Sequence, residues 1–263
     1  MFMVRLFLML FPGMLLLGWA LWKENLSCLI LLVLMLPVLG LITLNMLEVA
    51  LMRRRALVGM YLHADSWLSR LLCRRMFLLF RQVLKGVFFT FILFVEVLDW
   101  PAWFWWLTLA DVLLVYMADA WLRNLLVKQV KPGQGGVIAR RMLVTVNTLV
   151  LALLLATGQL FEKQVDYTGM SWQETAVHGA QQERVQCELI APLVRLQTMQ
   201  HALAGRFVHQ GLEAVSSIWS RMAGWLLFFF WSGLSLWAWS RMLLGTLIRK
   251  PDVDQMVRSG CGQ

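Results

Sequence analysis

Acidic residues are scarce in this chain, and the places that lack them are informative. Fifteen Asp and Glu stand against 24 Lys and Arg. From Arg53 to Lys85 a single acid, Asp65, accompanies eight bases, and from Arg123 to Arg141 five bases stand with none. Four cysteines lie far apart, without the CxxC spacing that redox and zinc motifs use. Glu174 and His178 are one helical turn apart and His201 and His209 two, yet no third ligand follows at a metal-binding spacing. No paired carboxylate or nucleophile–base pair occurs at usable spacing. No catalytic residue, metal or cofactor is therefore assigned. The run from Lys131 to Gly136 lacks the Gly-Lys-Ser/Thr ending of a phosphate-cradling loop and reads as a flexible turn.

Apolar residues supply 60% of the chain and its mean hydropathy is +0.67, against about 45–50% apolar content in soluble domains. Roughly 20 apolar residues cross a bilayer, and six segments qualify: 4–22, 26–52, 84–99, 101–122, 142–161 and 222–248. The third is short, but Lys85 can snorkel and let it extend inward. Asp99, Trp100 and Pro101 form a tight turn before the fourth, where Trp100, Trp103, Trp105 and Trp106 mark an interface. The first segment exceeds the apolar core of a signal peptide. Trp19, Trp22, Lys23 and Glu24 replace a small-residue cleavage site, so it reads as a retained helix.

Lys and Arg are enriched in cytoplasmic loops, and threading six crossings places every basic cluster on one side. The expected fold is all-α: a polytopic membrane bundle over 1–161, an outer helical loop 162–221, a last crossing 222–248 and an inner tail 249–263. Both termini are cytoplasmic, and the setting is a bacterial-type inner membrane. A re-entrant hairpin over 84–122 would give four crossings with the same sidedness. The net charge of +9 is read as facing anionic lipid, with no nucleic-acid partner.

Residues 53–82 are predicted to form an amphipathic helix on the inner surface. Leu57, Tyr61, Ala64, Leu68, Leu71 and Leu72 share its apolar face. Arg70, Arg74, Arg81 and Lys85 line a basic face suited to lipid headgroups or a partner. In the outer loop Gly169 and Gly179 break the first half, Pro192 opens a second helix, and a bend is expected at Gly205 to Gly211. Fewer than sixty residues cannot bury a core alone, so this loop packs on the membrane face, on itself as a helical hairpin, or on a partner.

A charge inside a membrane is costly and points to function by default. Glu48 near the Arg53 cluster, and Asp119 four residues before Arg123, read as interfacial ion pairs; Glu96 lies near an outer helix end. Asp111 sits near the midplane with no base at matching depth. Thr108 on its own helix and Asn45, Asn147, Thr148 and Ser235 on others are its candidate polar company. The arrangement reads either as an interhelical hydrogen bond that locks the bundle or as a proton- or cation-responsive site. Threading puts Cys28 and Cys187 together outside, where a disulfide is allowed, and Cys73 and Cys261 inside. Trp219, Trp225, Trp231 and Trp237 recur every six residues, with Trp239 added, and read as lipid-facing and interfacial packing residues. Ser232, Gly233 and Ser235 between them offer a close helix contact.

The expected function is that of a non-enzymatic subunit or scaffold of a larger envelope complex, of the kind found in secretion or conjugation machines, with the bilayer and other membrane proteins as partners. The layout is also similar to that of permease subunits of certain ATP-binding cassette exporters, without a shared motif. The alternative, resting on Asp111 and the polar residues facing it, is a transport subunit partnered with a cytoplasmic ATPase.

Overall fold

Inside lipid no water is present to bond free N–H and C=O groups, so long apolar runs must close their hydrogen bonds internally as helices. The computed structural model describes residues 2–61, 75–126, 129–130, 135–161, 170–182, 187–188, 190–214 and 218–248, and among them it holds eight α-helices and no strand. These are α1 (Phe2–Trp22), α2 (Cys28–Tyr61), α3 (Arg75–Glu96), α4 (Ala102–Leu126), α5 (Gly135–Phe161), α6 (Trp172–Gln182), α7 (Ala191–Ala214) and α8 (Ile218–Gly245). A 3-10 turn, Val97–Asp99, closes α3 before Pro101. Four stretches are long and apolar enough to cross a membrane: Cys28–Arg54, Met76–Asp99, Ala102–Leu126 and Gly135–Gly158. The apolar part of α1, Leu6–Trp22, is shorter, and α8 has 28 residues.

The limits around the expected amphipathic helix depart from the sequence-based reading at both ends. Residues 53–61 continue α2, and 75–82 open α3. Both ends of the amphipathic helix expected over 53–82 are thus continuous with long apolar helices, because no proline interrupts either run and Arg is a good helix former. Its middle, 62–74, with the side chains of Arg70 and Arg74, lies outside the described residues. The third apolar helix correspondingly begins at Arg75, which carries Arg81 and Lys85 on its opening turns.

Apolar side chains fill the core and also cover much of the outside, unlike in a water-soluble domain. Phe7, Leu29, Leu36, Phe80, Leu114 and Leu153 are exposed, whereas Asn45, Glu48, Glu96, Asp111, Arg140 and Ser240 are buried. Apolar surface costs nothing against acyl chains, while polar groups there must find partners inside the bundle. The core is built around α2, α3, α5 and α8, with α1 and α4 against it. Trp19 of α1 is fully buried and donates from Nε1 to the Phe94 carbonyl of α3 at 2.9 Å. Gly86 sets the α2–α3 approach, because a Cβ there would run into the Thr43 hydroxyl and lie 3.1 Å from Leu39.

Helices α6 and α7 pair as a hairpin, and α7 rests on α3 and α8. Ser171 and Glu174 form a capping box: the Ser171 N–H donates to the Glu174 carboxylate at 2.6 Å and the Glu174 N–H to Ser171 Oγ at 3.2 Å. Gly179 does not break α6. It sits at the contact with α7, where a Cβ would come within 2.8 Å of both Ala202 Cβ and the Thr198 carbonyl. The backbone of α7 likewise stays helical through Gly205 and Gly211 to Ala214. Gly233 has open space beside it, so the expected close contact is not made there.

Candidate functional site

Among the described residues, every buried ionisable group faces a partner on another helix or one turn away on its own, and these pairs form three groups along the bundle. At the basic end Glu48 of α2 meets Arg140 of α5. Arg140 Nε donates to Glu48 Oε2 at 3.0 Å, and Nη2 donates to Oε1. The sequence reading attached Glu48 to the neighbouring Arg53 cluster. A partner comes from 92 residues away, since helix packing brings the start of α5 beside the later turns of α2. Asn45, one turn earlier, accepts from Arg241 Nη1 at 2.7 Å, so it belongs to this end and not to the company of Asp111. The Arg241 guanidinium lies 4.5 Å from the Trp237 ring centroid. Asp119 and Arg123 pair at 2.8 Å on α4.

In the middle, Asp111 is buried on α4. Its Oδ2 accepts from Trp239 Nε1 of α8 at 3.0 Å and from Asn147 Nδ2 of α5 at 3.2 Å. Asn147 also donates to Ser240 Oγ at 3.1 Å, and Thr148 Oγ1 lies 3.3 Å from the same hydroxyl. Thr108 is buried but donates to the Trp105 carbonyl on its own helix at 2.8 Å. Ser235 likewise bonds the Ser232 carbonyl at 2.8 Å. Of the polar residues named for Asp111 from the sequence, Asn147 is the one that reaches its carboxylate.

At the opposite end Glu96 is buried between α3, α7 and α8. It accepts from Gln197 Nε2 at 3.2 Å and from Ser232 Oγ at 3.4 Å. His201 lies between two acids, with Nε2 at 3.7 Å from Glu96 and Nδ1 at 3.7 Å from Asp99. Burial works against a charged His201, but the adjoining Glu96 and Asp99 outweigh it and raise its pKa above the ordinary 6.5. Beside this group Cys28, at the start of α2, and Cys187, just before α7, form a disulfide with Cα atoms 4.8 Å apart.

Among the described residues no group of three His, Cys, Asp or Glu is arranged to hold a metal ion. Arg81 and Lys85 stand exposed at the basic end, on a cavity with Arg53, Arg54 and Arg241. No family model, curated protein or solved structure matches this chain.

Sequence reasoning missed Trp239, Gln197 and the pairing of Arg140. Trp239 was set aside with the other indoles as a packing residue, yet it is fully buried and holds Asp111. One available signal was the rule that a buried indole N–H seeks an acceptor. Which acceptor it finds, 128 residues away, depends on the order in which helices pack.

Proposed function

We propose that this chain is a non-enzymatic multi-pass subunit of a larger membrane assembly, serving as a scaffold in envelope machinery of the secretion or conjugation type. The observation that supports it most is how Asp111 is held. Trp239 and Asn147 arrive on α8 and α5, and Ser240 anchors the amide of Asn147 from behind. Three helices are thereby tied at one carboxylate oxygen. Buried hydrogen bonds of this kind fix helix positions in membrane proteins, at about 0.6 kcal/mol each on average. The Glu48–Arg140 pair and the Cys28–Cys187 bridge add ties at the two ends. A bundle fastened at three levels suits a part that positions other subunits.

The proposed orientation has six crossings, with α1 and α8 completing the four longer spans, and both termini in the cytoplasm of a bacterial-type inner membrane. Two independent features support it. Arg53, Arg54, Arg81, Lys85 and Arg241 converge at one end, as the positive-inside rule requires. The disulfide lies at the other end, and such bonds persist in oxidising compartments.

The alternative is a transport subunit in which Asp111 binds a proton or cation, favoured by the hydroxyls of Ser240 and Thr148 that are linked to it through Asn147. The two readings separate on solubilisation in mild detergent and on reconstitution. The scaffold reading expects the chain to leave the membrane with stoichiometric partners, and the isolated chain to give no flux in proteoliposomes. Flux by the isolated chain that Asp111→Asn abolishes would overturn it in favour of transport.

A further inference from the structure

Helices α2, α3 and α8 enclose a cavity of about 360 Å³ at the basic end of the bundle. Arg53 and Arg54 enter from α2, Arg81 and Lys85 from α3, and Arg241 from α8, and among the described residues no carboxylate lines it. Like charges gathered against low-dielectric walls repel more strongly than in water. Arg241 is acted on by the charges of Arg53 and Arg141, with Glu48 opposing them. That one acid is also bound through both oxygens by Arg140. Positive charge therefore remains in excess around the cavity.

Arg241 is 8% exposed, its Nη1 is fixed by Asn45, and its Nε has no hydrogen-bond partner. Buried polar groups without partners mark places where a further acceptor belongs. Gln82, 4% exposed, lines the same cavity and adds an amide. Both observations call for an anion with several acceptor oxygens, which describes a phosphate.

The remaining walls say which phosphate. Met46, Val49, Leu78 and Trp237 are apolar, as is Phe77, which is 64% exposed on the outer side of α3. Phe80 and Leu84 extend that exposed apolar surface along the same helix. A headgroup in the cavity would lay its acyl chains against them. A free ion would leave those walls without an apolar partner. Basic pockets between membrane helices on the cytoplasmic side are suited to anionic headgroups.

We propose that this cavity is a binding site for the phosphate headgroup of an anionic phospholipid, with Arg81, Lys85 and Arg241 as its principal donors. The proposal needs α2 and α3 to lie in a membrane and is independent of whether the chain scaffolds or transports.

The test uses the full chain, delipidated in a neutral detergent, with thermal unfolding followed against added phosphatidylglycerol, phosphatidylcholine or inorganic phosphate. Phosphatidylglycerol is expected to raise the midpoint in a saturable, salt-sensitive manner, with the other two far weaker. Arg81→Gln with Lys85→Gln changes exposed side chains and keeps the fold. At about 1 kcal/mol per charge it should weaken the lipid's apparent affinity roughly thirtyfold. Arg123→Gln removes a base that is paired with Asp119 and does not line the cavity, and should leave the affinity unchanged. An equal effect of phosphatidylcholine, an unaltered response in the double variant, or an equal loss in Arg123→Gln would overturn the site. A full effect of inorganic phosphate would overturn the lipid assignment.

Discussion

Glu48 and Arg140 illustrate how an ion pair is judged inside a membrane protein. Both side chains are almost wholly buried, so neither charge has water to fall back on. Removing one partner of a buried pair costs about 3–5 kcal/mol. Arg140→Met is therefore expected to lower the unfolding midpoint strongly, whereas Glu48→Leu with Arg140→Met should recover much of the loss. Thermal unfolding of the three proteins in the same detergent checks this. If the double variant is no better than the single one, the pair is not an isolated charge couple. Glu48 could be recognised in the sequence as an acid in need of a base, because it lies near the end of an apolar run. Its partner could not, because several bases lie near that end and only packing selects Arg140. Asp111 tells the same story. Its need for donors was legible, but Trp239 was not.

The α6–α7 hairpin is held to the bundle by two different means. The Cys28–Cys187 bridge links it to the start of α2 across 159 residues. Bridges of this kind contribute about 2–4 kcal/mol. Cys28→Ser is expected to lower stability by that order, and to speed proteolytic nicking of the connection between α6 and α7. The same treatment of the wild type with reductant should reproduce both effects. The second means is His201 between Glu96 and Asp99, with Gln197 and Ser232 completing the site around Glu96. A raised histidine pKa means that the protonated form is favoured by docking. Its contribution is therefore fully present below the ordinary value of 6.5 and is lost as pH rises through the higher value of the docked state. Protection of α7 amides from hydrogen exchange, taken relative to the intrinsic rate at each pH, should accordingly fall on the alkaline side, and His201→Gln should flatten that pH dependence. An unchanged profile in the variant would assign the effect to another group. The hairpin itself was one of three placements open from the sequence. The contact that decides it, Gly179 on Ala202 and Thr198, joins two segments whose spacing carries no mark of their pairing.

For the chain as a whole, the proposed map puts reporters fused near residues 65 and 190 in opposite compartments, the first in the cytoplasm and the second outside. A reporter active only in the cytoplasm and one active only outside, compared at both positions, checks this directly. Signal from a single compartment at both would remove the map. That the chain is helical and meets lipid followed from composition and run length alone, because a bilayer leaves an apolar backbone no other way to satisfy its amides. The clustering of bases at one end was equally legible, since it depends only on counting crossings. Three things needed the packed molecule: Arg140 for Glu48, Trp239 for Asp111, and the convergence of Arg53, Arg54, Arg81, Lys85 and Arg241 on one cavity. Each joins residues from separate helices, and the rotation and neighbour order of helices are set by close contacts such as Gly86 on Thr43. Hydropathy is a property of segments and can be read one segment at a time. Pairing is a property of surfaces in contact, and it exists only once the helices have met.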